Sequence, residues 1–71
     1  MIVWKDKQDM FVEGIAADIR LYIITNKDNK VTGLYLIRAD DKVKHVPSDK
    51  HELEIDCMKM RAEELIKYYT K

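Results

Sequence analysis

Up to residue 46 the apolar residues come in short runs broken by polar clusters, and after Pro47 they fall into one charged, amphipathic segment. Ile2-Val3-Trp4 and Met10-Phe11-Val12 flank Lys5-Asp6-Lys7-Gln8-Asp9, which reads as an N-terminal strand pair around a polar turn. Ile19 to Thr25 and Val31 to Ala39 are rich in β-branched and aromatic residues and bracket Asn26-Lys27-Asp28-Asn29-Lys30, a cluster with turn chemistry. They predict a β-hairpin, and Val43 to Val46 predicts a further strand after a turn at Asp40-Asp41. A competing pattern crosses this region. Ile15, Ile19 and Ile23 recur at a spacing of four behind Gly14, which also fits a helix from Ile15 to Thr25 after a strand at Met10 to Glu13. The run Tyr22-Ile23-Ile24-Thr25 favours the strand, because β-branched and aromatic side chains lose rotamer freedom in a helix.

The segment HELEIDCMKMRAEELIKYY, His51 to Tyr69, predicts the closing helix. Ser48 or Asp49 offers an N-cap, Asp49 to Glu52 has capping-box form, and Pro47 holds the residue before it extended. Glu63 and Lys67 sit at the i,i+4 spacing that supports a helix. The expected fold is therefore α+β: a small antiparallel meander of four to five short strands, with one C-terminal amphipathic helix packed on one sheet face, in a single domain over residues 1–71.

At about 100° per residue, Ile55, Met58, Ala62, Leu65, Ile66 and Tyr69 form one stripe, suited to packing on a sheet. Leu53, Cys57, Met60 and Tyr68 fall on the opposite side, with Glu64 among them. Leu53 stapling the helix start, with the others as isolated exposed residues, is one account of this second stripe; a dimer or partner interface is the other. The sheet raises the same question. Ile19, Leu21 and Ile23 alternate with Tyr22 and Ile24, and Leu34 and Leu36 alternate with Tyr35 and Ile37, so both faces are apolar while one helix covers only one. The N-terminal pair carrying Trp4 and Phe11 could fold over the second face; otherwise a second copy or another protein covers it. A homodimer is the preferred solution, because two-fold pairing is the commonest way for a small chain to complete a core.

Size sharpens that expectation. A chain of 71 residues buries only roughly 60% of the surface its unfolded form exposes. Cys57, the only cysteine, excludes an internal disulfide and a zinc site of paired cysteines, and fits a reducing, cytoplasmic compartment. The N-terminus lacks a signal-peptide core and no run is apolar enough to span a bilayer, so a soluble, unexported protein is expected, with no membrane partner. Thirteen basic residues balance thirteen acidic ones. That balance weakens both a phosphate-neutralising binder and an acidic mimic of nucleic acid, and removes much of the repulsion that opposes association.

Candidate chemistry is sparse. Cys57 with His51 or His45 is the one nucleophile–base combination, and a spacing of six keeps Cys57 and His51 from facing each other on a helix. His45, His51, Asp40, Asp41 and Asp49 cluster in sequence without a metal-ligand spacing. No glycine-rich phosphate cradle exists, since Gly14 and Gly33 are the only glycines. No catalytic residue, metal or cofactor is assigned. Lys27, Lys30, Lys42 and Lys44 offer a local basic patch for nucleic acid, without the interleaved aromatics of a single-strand binder. In size and architecture the chain is similar to compact proteins encoded by bacteriophages and mobile elements, some of which bind and inhibit host enzymes; the similarity covers no motif and transfers no residue. The expectation is a non-enzymatic interaction module, a homodimeric regulator or inhibitor that binds another protein, with Leu53, Cys57, Met60 and Tyr68 as its partner or dimer interface. The alternative is a small nucleic-acid-associated regulator using the four lysines.

Overall fold

The computed structural model describes residues 1–50 and 54–69; Leu53, His51 and Glu52, which figure in the expected interface, base and capping box, lie outside them. Five strands form one antiparallel sheet in sequential order: β1 (Val3–Trp4), β2 (Phe11–Ala16), β3 (Ile19–Thr25), β4 (Val31–Ile37) and β5 (Val43–Pro47). One helix, α1 (Ile55–Ile66), follows and packs against β3 and β4. This is the expected α+β meander with a C-terminal helix. No helix among the described residues is long and apolar enough to cross a membrane.

The competing reading of residues 15–25 is settled in favour of strands. Ile15 and Ala16 end β2, and Ile19 begins β3 after the two-residue turn Ala17-Asp18. Ala17 adopts the left-handed backbone region at φ 56°, an uncommon conformation for a residue with a Cβ. The other two turns use side chains suited to that region. Asn29 at φ 67° and Asp41 at φ 63° sit in the tips joining β3 to β4 and β4 to β5. In the first, the Asn26 side-chain oxygen accepts the backbone N–H of Asp28 at 2.9 Å and of Lys30 at 3.1 Å.

The N-terminal pair is arranged otherwise than expected. Val3 and Trp4 pair with Ile15 and Gly14, at the far end of β2, rather than with Met10 to Val12. The cause lies at Gly14: a Cβ there would come within 2.5 Å of the Trp4 ring and 2.7 Å of an Ile2 methyl group, so only glycine leaves room for both side chains. Trp4 and Ile2 are thereby drawn to the helix side, and β1 extends the sheet instead of folding over its second face.

The core lies between sheet and helix. Leu21, Ile23, Leu34, Leu36 and Met58 are fully buried, with Val12, Ala16, Ile19, Val46, Ala62 and Ile66 around them. Ile55, Leu65 and Tyr69 pack at the margin, so the expected core stripe of α1 is the buried one. A shift of register near Ile24 and Thr25 makes Thr32 an extra residue in β4, which lets Val31 join Leu34 and Leu36 on the core side.

The helix is shorter than the periodicity suggests. It runs from Ile55 to Ile66, with Glu54 at the N-cap position in extended conformation and no side-chain cap bond. Ser48 and Asp49 are therefore not its caps. Ser48 is committed to the sheet instead: its N–H donates to the Thr32 carbonyl and its hydroxyl to the Val31 carbonyl at 2.9 Å, prolonging the β4–β5 pairing. At the other end Tyr68 and Tyr69 donate to the carbonyls three residues back, a tightened turn that stops the helix before Tyr69. Lys67 Nζ stands 4.0 Å from Glu64, one position nearer than the Glu63 favoured by spacing.

Candidate interaction surfaces

Two surfaces remain open once the core is formed. The first is the outer side of α1. Met60 and Tyr68 are 71% and 74% exposed, and Cys57 is exposed beside them. Of the four residues expected at an interface, Cys57 and Met60 therefore stand outward on α1 and Tyr68 is exposed in the turn after it; Leu53 lies outside the described residues.

The second surface is the sheet face away from the helix, and strand register orders it into rows. The middle row runs Glu13, Tyr22, Tyr35, His45 across β2 to β5. One flanking row holds Phe11, Ile24, Gly33 and Pro47, and the other holds Ile15, Arg20, Ile37 and Val43, with Val3 beyond Ile15. Two polar groups of the middle row engage each other. The Tyr22 hydroxyl donates to Glu13 at 3.0 Å, and Lys5 Nζ lies 3.4 Å from the same carboxylate. Tyr22's hydrogen bond, with Lys5 assisting, holds the Glu13 carboxyl below the ordinary glutamate range. Phe11 meets Tyr22 edge-on at 5.9 Å, and His45 stacks on Tyr35 at 4.6 Å. His45 can lie there because Gly33 carries no Cβ, which would sit 2.8 Å from its ring nitrogen.

Sequence reasoning placed Tyr22, Ile24, Tyr35 and Ile37 on this face. It missed Glu13 and His45 as members of the row, because only the pairing register brings residues 13, 22, 35 and 45 side by side.

The lysines are not gathered into one patch. Lys27 and Lys30 stand at the β3–β4 tip and Lys42 at the opposite end of β4, a strand of seven residues and therefore about 20 Å away. Lys30 is ion-paired with Glu54, and Lys42 Nζ lies 3.9 Å from Asp40. Lys44 is exposed on β5.

The remaining chemistry is dispersed. Cys57 faces outward from the helix while His45 lies on the far side of the sheet, so the two do not meet. Among the described residues no three His, Cys, Asp or Glu side chains are grouped to hold a metal. A shallow cleft of about 250 Å³ opens between the β2–β3 turn, the β4–β5 turn and the end of α1, lined by Asp18, Ile19, Arg38, Ala39, Asp40 and Tyr69. The Arg38 guanidinium in it sits 5.5 Å from the Tyr69 ring centroid, a cation–π contact that fastens the C-terminal turn to the sheet. Trp4 and Lys59 make the corresponding contact at the other side of the helix, at 5.6 Å. Comparison with protein-family models, with curated proteins and with solved structures finds no match.

Proposed function

We propose that the chain is a non-enzymatic protein–protein interaction module, a homodimeric regulator or inhibitor that works by occupying a surface of another protein. The observation that carries this reading is the pair of open surfaces on opposite sides of one small fold. A single helix and a single sheet need one contact between them, yet Cys57, Met60 and Tyr68 line the outside of the helix and a four-strand aromatic and aliphatic face lines the outside of the sheet. Aromatic and thioether side chains suit partner surfaces, the first by large rigid area and the second by adaptable packing.

Affinity capture from the native host lysate with wild-type chain and with Met60→Glu/Tyr68→Glu tests it. A specific protein retained by the first and lost by the second is expected. Equal capture by both, or none by either, removes the helix stripe from function. The nucleic-acid reading has its own test, a titration against DNA and RNA at two salt concentrations. Binding that is absent at low salt removes it, since phosphate contacts are strongest there.

A further inference from the structure

The two open surfaces differ in kind, and the register of the sheet allows each to be assigned. We propose that the open sheet face is the homodimer interface, closed by a second copy of this chain across a two-fold axis parallel to the strands between β3 and β4. The helix stripe then remains for the other protein. This inference rests on the interaction-module reading but fails separately from it.

Edge-on assembly is disfavoured first. Arg38 N–H donates to the Lys42 carbonyl and Ser48 N–H to the Thr32 carbonyl, so residues 42, 44, 46 and 48 point their backbone groups toward β4. Their alternates, Val43, His45 and Pro47, turn outward. Pro47 has no N–H to offer, which blunts that edge, and the opposite edge strand, β1, is two residues long. A second copy is thereby directed to the face.

On the face, charge selects the axis. An axis across the strands along the middle row would set Glu13 on Glu13 of the second copy. One along β3 would carry Lys5, which extends the row beside Glu13, onto His45, with no carboxylate of the second copy opposite either. An axis between β3 and β4 keeps each row on itself and exchanges β2 with β5 and β3 with β4. Glu13 then faces His45, an acceptor opposite a donor. Tyr22 faces Tyr35, and Ile24 faces Gly33, over which the His45 ring lies. At the two ends Phe11 faces Pro47 and Ile15 faces Val43, apolar on apolar. Arg20 meets Ile37 near the β2–β3 turn, where its long stem can lie along the interface with the charge in water.

The area sets the strength. Four strands of five to seven residues project roughly 400 Å², and accessible area exceeds projection because side chains stand out from the sheet. That is the small end of specific interfaces. The expected dimer dissociates on dilution.

Light scattering over a concentration series on the full chain gives the primary readout. A mass rising toward twice the 8.4 kDa chain mass is expected. Tyr35→Lys and, independently, Val43→Lys should give monomers with unchanged circular dichroism, while Met60→Glu/Tyr68→Glu leaves the dimer intact. His45→Glu places two carboxylates face to face and should weaken the dimer about tenfold or more, with recovery in Glu13→Lys/His45→Glu. Ile15 and Val43 lie three strands apart in one chain, so Ile15→Cys/Val43→Cys in a Cys57→Ser background should be joined between copies by a short bifunctional thiol reagent.

A wild-type mass of one chain at every concentration overturns the proposal, and capture of a partner through the helix stripe would then still stand. A dimer broken by Met60→Glu/Tyr68→Glu and kept by Tyr35→Lys also overturns it. Failure of both the charge exchange and the cross-link rejects the axis and, with it, the interface as stated.

Discussion

Leu36 and Tyr35 are neighbours in β4, yet Leu36 is fully buried under the helix and Tyr35 is 39% exposed on the other side. The two faces they belong to are built from the same strands and are both apolar in outline. On the helix face the side chains are aliphatic apart from the buried Thr25 and one aromatic, Trp4, which a glycine admits. On the open face a polar and aromatic row runs through the middle, in which the Tyr22 hydroxyl is bonded to the Glu13 carboxylate and the His45 ring stacks on Tyr35. A face of that kind is stable in water while still offering apolar area, which suits association that forms and dissolves. The helix face has no such provision and is a core.

Substitutions in matched positions should separate the two faces most clearly. Leu36→Ala leaves a cavity in the core and should cost about 3 kcal/mol, whereas Tyr35→Ala should cost the folded monomer less than ~1 kcal/mol. Chemical denaturation at a concentration where the chain is monomeric checks both, and equal losses would erase the distinction between the faces.

The two glycines give a smaller contrast of the same sort. Gly14→Ala forces a methyl group into the Trp4 ring and Ile2, packed groups with nowhere to go, at about 1–3 kcal/mol. Gly33→Ala meets the rim of the exposed His45 ring, which can swing away, and the residual crowding against the Val46 carbonyl should hold the loss under ~1 kcal/mol. Loss of the ring-current signature of His45 on Tyr35 in proton NMR would accompany the second substitution and not the first.

A pH series probes the polar row itself. Glu13's carboxyl is held below 4.5 in the folded chain, chiefly by the Tyr22 hydroxyl and next by Lys5, against the cost of desolvation. A carboxyl with a depressed folded value contributes stability that is present above its unfolded value and lost as pH falls through the folded one. Tyr22→Phe removes the largest contribution, so Glu13 should titrate closer to its ordinary value. The part of the acid-induced loss of stability below pH 4.5 that depends on Glu13 should shrink. An unchanged Glu13 titration by NMR would show that the hydroxyl is not its main partner.

The smallest effect is expected on the outer helix. Met60→Glu should shift folding stability by no more than about 0.5 kcal/mol, since the side chain is 71% exposed. A larger loss in the monomer would mean that this surface contributes to the fold.

How much of this was legible in the chain differs by element. The β3–β4 hairpin and the helix stripe were readable because each follows a strong local period and, for the hairpin, Asn and Asp supply the turn. The β2–β3 boundary was ambiguous because its turn, Ala17-Asp18, carries neither Gly nor Asn and because Ile15, Ile19 and Ile23 satisfy both periods. Ser48 was misread as a cap because its hydroxyl suits two jobs, and pairing with β4 took the side chain for the other one.

By itself, then, the sequence determined the elements of strongest period, a meander of four to five strands, the residues of the core stripe and the presence of a second apolar set on both helix and sheet. Those properties depend on neighbours within a few positions. The tertiary structure decided the pairing of β1 with the far end of β2, the helix start at Ile55, the scattering of the four lysines and the row from Glu13 to His45. Each depends on residues brought together from distant parts of the chain. Gly14 is the plainest case: nothing local marks it, but an indole and an isoleucine that arrive from β1 require that it have no side chain.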